Sequence, residues 1–258
     1  MLKTTGAAVA GLSLLGVDAV AAGKPDTDPN TIQRQIRRKK ILVIGAHPDD
    51  PESGCGGTMA RFIEAGHEVV NVYLTRGERG IKGKGLEESA EIRTKEALAA
   101  CETMGTRPIF LSQVDGACEI TPERYTEMID TIKAENPDIV LTHWPIDAHR
   151  DHAICSILVL DAWRRVGRTF DLFFFEVMPG TQTKTFMPTD FVDITKVREK
   201  KIQTCWCHES QGAKKWFDGY HTDIERFRGM QAGCRFAEAF VRFDQSPTNT
   251  LLTLAGNI

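Results

Sequence analysis

Ile41-Leu42-Val43-Ile44-Gly45-Ala46-His47-Pro48-Asp49-Asp50 joins an apolar run directly to a polar one. The unbroken stretch Ile41 to Gly45 has no alternation, which marks a strand covered on both faces, as in a parallel sheet. The chain beyond Asp50 has the same grain. Gly54 to Gly66 carries Met59, Phe62 and Ile63 at helical spacing and closes on a glycine stop. Val69 to Leu74 reads as a second strand, and Thr75 to Gly85 as a polar, Gly-rich loop. Glu87 to Met104 reads as a helix, Pro108 to Leu111 as a brief strand, and Thr121-Pro122-Glu123 as the start of a helix ended by Asn136-Pro137. Asp138 to Thr142, the helix Asp151 to Val166 and the strand Leu172 to Val177 repeat the alternation. Beyond residue 178 the pattern weakens. It predicts a strand near Phe191 to Ile194, helices over Thr195 to Ser210 and Asp223 to Gly233, and an alternating stretch from Phe236 to Phe243.

Strands separated by helices of this length imply βαβ units, and so an α/β fold with a doubly wound, mostly parallel sheet and helices on both faces. In such sheets ligands sit beyond the carboxyl ends of the strands, where the strand order reverses. With the common order 3-2-1-4-5, the first and fourth strands are neighbours there. The loop after the first carries His47, Asp49 and Asp50. The loop after the fourth carries His143-Trp144-Pro145-Ile146-Asp147-Ala148-His149-Arg150-Asp151-His152. Either cluster alone is ordinary, the first as a turn with an Asx cap and the second as a helix start. Converging at one crevice, they suit a hydrolytic zinc site with three protein ligands and one water. A neighbouring carboxylate can take the water's proton.

The chain has 258 residues, 41% hydrophobic and 26% charged, with a formal net charge of −3. That balance excludes disorder and gives no reason to expect nucleic acid or an anionic membrane as partner. Seven cysteines, an odd number in a long chain, argue against a disulfide framework. Residues 1–22 have the order of an export signal: Lys3, an apolar run from Gly6 to Val17, and a small-x-small site at Ala19-Val20-Ala21. The segment LKTTGAAVAGLSLLG also resembles the part of a twin-arginine signal that follows the Arg pair, which would place that pair upstream of Met1. Residues 23–40 read as a charged linker and residues 41–258 as one domain. No later apolar run is long enough to span a bilayer.

ILVIGAHPDD, followed by GCGGT at 54–58 and HRDH at 149–152, resembles the zinc-dependent deacetylases of the PIG-L/LmbE type. The resemblance runs from about residue 40 to residue 243. It includes Thr75-Arg76-Gly77-Glu78, Arg93 with Glu96, Asp115-Gly116, His208-Glu209-Ser210-Gln211 and Ala237-Glu238-Ala239-Phe240. It implies a Rossmann-like fold, zinc as cofactor, removal of an N-linked acetyl group from an amino sugar or glycoconjugate, and a homo-oligomer. By motif position, it implies His47, Asp50 and His152 as metal ligands and Asp49 as general base. It further implies His149 as oxyanion stabiliser or acid, with Asp151 orienting it. Two residues depart from the usual pattern: Pro51, with Glu52 after it, stands where many relatives have Glu, and Arg150 stands where many have Pro.

Other residues are candidates with plain rivals. Arg76 and Arg93 could contact substrate or form surface ion pairs. Asp115 could accept from a sugar hydroxyl or shape a turn. Trp144 could stack on a sugar or pack in the core. The glycines at 54, 56 and 57 read as permitting close approach of the helix start to the metal loop. Cys205 and Cys207 point to different sides of a helix, so buried thiols beside an ordinary His208 fit better than a shared ion. The rival functions are an amidase acting on a thiol conjugate or another non-sugar amide, and a non-catalytic doubly wound domain binding a sugar or nucleotide. If the first 22 residues are an export signal, N-terminal sequencing of the native protein will begin near Ala22 or Gly23. A retained Met1 in a cytoplasmic fraction is the contrary result.

Overall fold

The computed structural model describes residues 37–247. The chain divides after Arg37, and the unit from Arg38 onward carries the fold. The expected export signal and most of the linker lie outside the described residues. The linker's last residues do not: Lys39 pairs with Asp138 at 2.8 Å and Lys40, which opens the first strand, with Glu135 at 3.1 Å.

Seven strands form one mixed sheet. They are β1 (Lys40–Gly45), β2 (Glu68–Tyr73), β3 (Arg107–Phe110), β4 (Ile139–His143), β5 (Asp171–Phe175), β6 (Asp190–Asp193) and β7 (Ala237–Arg242). Their spatial order is β3-β2-β1-β4-β5-β7-β6. The first five are parallel neighbours in the order expected from the sequence. The last two add antiparallel pairings, with β7 inserted between β5 and β6. The weak pattern beyond residue 178 reflects this change of direction. An antiparallel edge needs no crossover helix, so the βαβ rhythm lapses there.

Residues of β1 supply both faces in turn. Ile41 and Val43 join Met59, Phe62, Phe173 and Phe240 on one side, and Leu42 and Ile44 join Val70, Leu158, Trp163 and Leu172 on the other. Both faces are covered, so Ile41, Leu42, Val43 and Ile44 are fully buried and the continuous apolar run is explained. Between the strands stand helices α1 (Asp50–Glu64), α2 (Leu86–Met104), α3 (Pro122–Glu135) and α4 (Arg150–Arg165). Thr121 caps α3 with its side chain, and Gly105 ends α2 in the left-handed conformation. After β6 come α5 (Arg198–Trp206), α6 (Ala213–Trp216), a π-helical turn (Phe217–His221) and α7 (Thr222–Ala232). The helix expected over Thr195 to Ser210 is therefore shorter, breaking into a 3-10 turn at Glu209–Gln211. No helix among the described residues is long and apolar enough to cross a membrane.

Helix α1 begins at Asp50, four residues before the sequence suggests, and kinks at Cys55. The amides freed at the kink are not orphaned. Gly57 and Thr58 donate to the two Glu238 carboxylate oxygens at 2.8 and 2.7 Å. Lys201, buried beneath, donates to the same carboxylate at 2.7 Å. The glycines permit close packing, but not against the metal loop. A Cβ on Gly54 would meet the Phe175 ring, one on Gly56 the Lys201 side chain, and one on Gly57 Ile194 at 2.5 Å. Gly57→Ala should therefore lower stability by about 1–3 kcal/mol through overpacking. Urea unfolding measures it, and an unchanged midpoint would contradict the fit described.

Candidate active site

Because β1 and β4 are adjacent and parallel, with Ile44 opposite Thr142, their carboxyl ends deliver two loops to one place. The loop after β3 brings Asp115 beside them. The resulting cavity is about 390 Å³, and its lining includes His47, Asp49, Asp50, Arg93, Asp115, His149 and His152.

Asp50 sits at the centre and is 4% exposed. One of its oxygens accepts the His47 amide at 2.7 Å and lies 3.2 Å from both His47 Nδ1 and His143 Nε2. The other lies 3.4 Å from His152 Nε2. Burial alone would raise the Asp50 pKa, but the imidazoles of His152 and His143 hold it well below the usual carboxylate range. His47 turns its Nε2 to Asp115 and Asp151, both at 3.2 Å. Burial opposes protonation of that ring, yet hydrogen bonds to Asp115, Asp151 and Asp50 raise its pKa well above the ordinary value. The His143 and His152 rings stack at 4.1 Å, and those of His149 and His152 at 4.6 Å.

This donor set fits a metal ion. One nitrogen or oxygen from each of Asp50, His143 and His152 lies within 4.8 Å of the others, and the same holds for His47, His149 and His152. A third such group comprises His47, Asp115, His149 and Asp151. Mixed imidazole and carboxylate donors are what zinc takes. His152 Nδ1 is buried without a hydrogen bond, although Asp147 stands 3.4 Å behind it. A carboxylate behind a ligating histidine is a common means of fixing its ring.

Asp49 occupies a different position from its neighbour. It precedes α1 with φ of 115°, in the left-handed region. Arg93 Nη2 lies 3.1 Å from its carboxylate and donates to the Pro48 carbonyl. Burial raises the Asp49 pKa, opposed by the Arg93 charge. Arg93 itself is buried against Gly77 and Gly80, where any Cβ would collide with the guanidinium group or its stem. Its position is that of a strut under Asp49.

Of the ten residues singled out from sequence, His47, Asp49, Asp50, Arg93, Asp115, His149 and His152 line the cavity. Asp151 lies behind them. Its carboxylate goes to His47 and to the Gly116 amide at 2.6 Å, while His149 Nδ1 accepts from the Asp151 backbone N–H at 3.3 Å. Arg76 is not brought to the cavity. It bonds Thr94 and pairs with Glu87, each at 3.1 Å, because the loop carries it over the outer face of α2. Trp144 is half-buried and does not line this cavity; it packs against Phe174 and Phe186, and its indole donates to the Lys184 carbonyl. Sequence reading did not single out His143, Asp147 or Glu52. Glu52 is fully buried and accepts from Tyr73 at 2.5 Å and Asn71 at 2.7 Å, with His208 at 3.5 Å. His143 closes an apolar strand, and that place at a carboxyl end was the available signal. Cys205 is buried and Cys207 half-buried, and all seven cysteines are free.

The sequence pattern of the PIG-L family, GlcNAc-PI de-N-acetylase, matches residues 42–163. The diacetylchitobiose deacetylase of Thermococcus kodakarensis is 31% identical over 222 residues, covering 80% of this chain and 83% of that protein. Among solved structures, the N,N'-diacetylchitobiose deacetylase of Pyrococcus horikoshii superposes with a TM-score of 0.72 at 22% identity, over 91% of this chain and all of that one. The 4-carboxy-2-hydroxymuconate hydratase GalB of Pseudomonas putida gives the same TM-score at 24% identity, over 82% of this chain and 99% of that one. The fold is therefore shared by proteins of different chemistry, and the site has to carry the functional argument.

One consequence of the geometry is a pH effect. Burial and the neighbouring His152 lower the His143 pKa to about 4, from 6.5. Between these values the unfolded chain binds a proton that the folded protein does not, so this contribution to stability falls as pH falls. The advantage of metal-free wild type over His143→Gln should shrink by about 3 kcal/mol between pH 6.5 and pH 4. Urea unfolding across that range checks it; a constant difference would contradict a neutral buried His143.

Proposed function

We propose that this chain, which belongs to the PIG-L family of GlcNAc-PI de-N-acetylases, hydrolyses the N-acetyl amide of an amino sugar or glycoconjugate with a bound zinc ion. One observation supports this most: the imidazoles of His143 and His152 converge with the Asp50 carboxylate, His47 joins His152 in a second such group, and the adjacent Asp49 lines the same cavity. His47, Asp50 and His152 would hold the metal, with His143 packed against Asp50. Zinc bound there would lower the pKa of a water molecule and polarise the amide oxygen.

The remaining work falls to the chain's own residues. Asp49 takes a proton from the attacking water; Arg93 fixes its carboxylate, and burial raises its pKa against the Arg93 charge. Attack on the amide carbon is followed by cleavage of the C–N bond, and the proton passes to the departing amine, leaving acetate and a free amino group. His149 is half-buried and caps α4, its ring T-shaped to that of His47 with 4.7 Å between centroids. It donates to the oxygen on which negative charge develops, an interaction made mainly in the transition state.

Acetate release across N-acetylated sugars, with and without a chelator, tests the reaction and its metal. His149→Ala should lower kcat about a hundredfold or more with little change in KM. Two further variants separate the adjacent carboxylates. Asp50→Ala should lose zinc, one ligand being gone. Asp49→Asn should keep zinc, since asparagine tolerates the left-handed backbone and the metal's ligands are untouched. It should still lose about 10²–10⁴-fold in turnover, because an amide cannot accept the proton. Zinc loss in Asp49→Asn with retention in Asp50→Ala would reverse the two roles. Full zinc and full activity in both would reject the site.

A further inference from the structure

Strand β5 runs on into a turn that the proposed hydrolysis does not use. Residues 177–183, Val-Met-Pro-Gly-Thr-Gln-Thr, lie between β5 and β6, and Val177, Met178 and Gln182 stand in the wall of the cavity that holds Asp49 and Asp50. The turn is stitched to the loop after β4. Asp147 and Thr183 pair as an antiparallel bridge. On either side the Ala148 amide donates to the Gln182 carbonyl at 3.0 Å, and the Lys184 amide to the Ile146 carbonyl at 2.9 Å.

Thr183 stands at the centre of this seam and is 2% exposed. Its hydroxyl accepts from the Val177 amide at 2.9 Å. Two acceptors compete for its single proton, Asp147 Oδ2 at 2.9 Å and the Val177 carbonyl at 2.8 Å. Burial raises the Asp147 pKa, but bonds from His152, the His149 amide and Thr183 hold it below the ordinary carboxylate value, so the group is an anion. A hydrogen bond to a charged acceptor is the stronger kind, and the proton therefore goes to Asp147.

The other oxygen of Asp147 accepts the His149 amide at 2.7 Å and lies 3.4 Å from His152 Nδ1. One carboxylate thus meets both the residue proposed to stabilise the oxyanion and a proposed metal ligand. His152 turns Nε2 towards Asp50, at 3.4 Å, which leaves its proton for Nδ1, the side that Asp147 faces. The terminal torsion of an aspartate is soft, so a carboxylate held at one oxygen alone can swing. Thr183 holds the second oxygen and closes that freedom.

We propose that Thr183 is a positioning residue for the metal centre: its hydroxyl holds Asp147 at the angle from which that carboxylate orients His152 and His149, so that the turn lining the cavity wall braces a metal ligand. This rests on the zinc-hydrolase reading for the ion that His152 would hold. The effect on metal passes through Asp147 and not through the turn as a whole.

The test titrates zinc into the metal-free full chain against a competing chromogenic chelator, with folding checked by circular dichroism. Thr183→Val, which keeps the shape and removes the hydroxyl, should raise the zinc Kd about tenfold, the low end for outer partners of a metal ligand, and Thr183→Ser should restore most of the affinity. Asp147→Asn should itself weaken zinc about 10–100-fold. In that background Thr183→Val should add less than about twofold, because the two changes break one path. At saturating zinc, Thr183→Val should also lower kcat about tenfold with little change in KM, since His149 loses its brace with Asp147. Wild-type affinity in folded Thr183→Val, or an equal loss in both backgrounds, would overturn the brace and leave the hydrolase reading standing. If Thr183→Val does not fold, Asp147→Asn decides, and unchanged zinc affinity there would overturn the brace at its middle member. A wild type that binds no zinc would remove the metal reading and the brace together.

Discussion

The parallel pairing of β1 with β4 is the constraint on which the site depends. Both strands are buried on both faces, so their side chains are apolar and their backbone groups are spent in the ladder. Polar residues can appear only where the strands end. There the loop backbones still need partners, and side chains at the strand ends supply them. Ala46 donates its amide to His143, Thr142 donates its hydroxyl to the Ile44 carbonyl, and Thr75 donates to the Ala46 carbonyl. The framework that fixes these loops is thus continuous with the groups proposed to do chemistry.

The same economy governs Asp49 and Arg93. A buried carboxylate beside another carboxylate is unfavourable unless a cation stands near it. Arg93 supplies that charge from α2, and it fits only because the Thr75–Gly85 loop lacks side chains at Gly77 and Gly80. A loop that reads as merely polar and flexible in sequence is a close-fitting sleeve in the fold. Glu52 makes a similar point. It stands one place beyond the position where many relatives carry Glu, and it is buried with Tyr73 and Asn71, not turned towards the cavity.

The first five strands, their order and the meeting of the two His/Asp clusters were legible because they rest on short-range signals. Continuous apolar runs, glycine stops and proline starts each act within a few residues. What escaped depends on distant partners. Trp144, a candidate sugar platform in sequence, packs against Phe174 and Phe186, partners that lie 30 and 42 residues further along the chain. Arg76 and Arg93 are equivalent candidates in sequence; α2 carries Arg93 to the cavity, while the loop after β2 ties Arg76 to Thr94 and Glu87 outside it. The insertion of β7 between β5 and β6 pairs residues far apart in the chain, which no local pattern encodes.

That insertion fixes an order of assembly. Among the described residues β6 has no neighbour in the sheet other than β7, which is made about fifty residues later. Until Glu238 arrives, the amides at the α1 kink have no acceptor and Lys201 lacks one of its two carboxylates. The helix that begins at the paired aspartates is therefore completed by nearly the last piece of the described chain to be synthesised. A nascent chain that stops before β7 can hold the five parallel strands and still lack the acceptor at the α1 kink, so the helix that follows Asp49 gains its last anchor only once β7 is made.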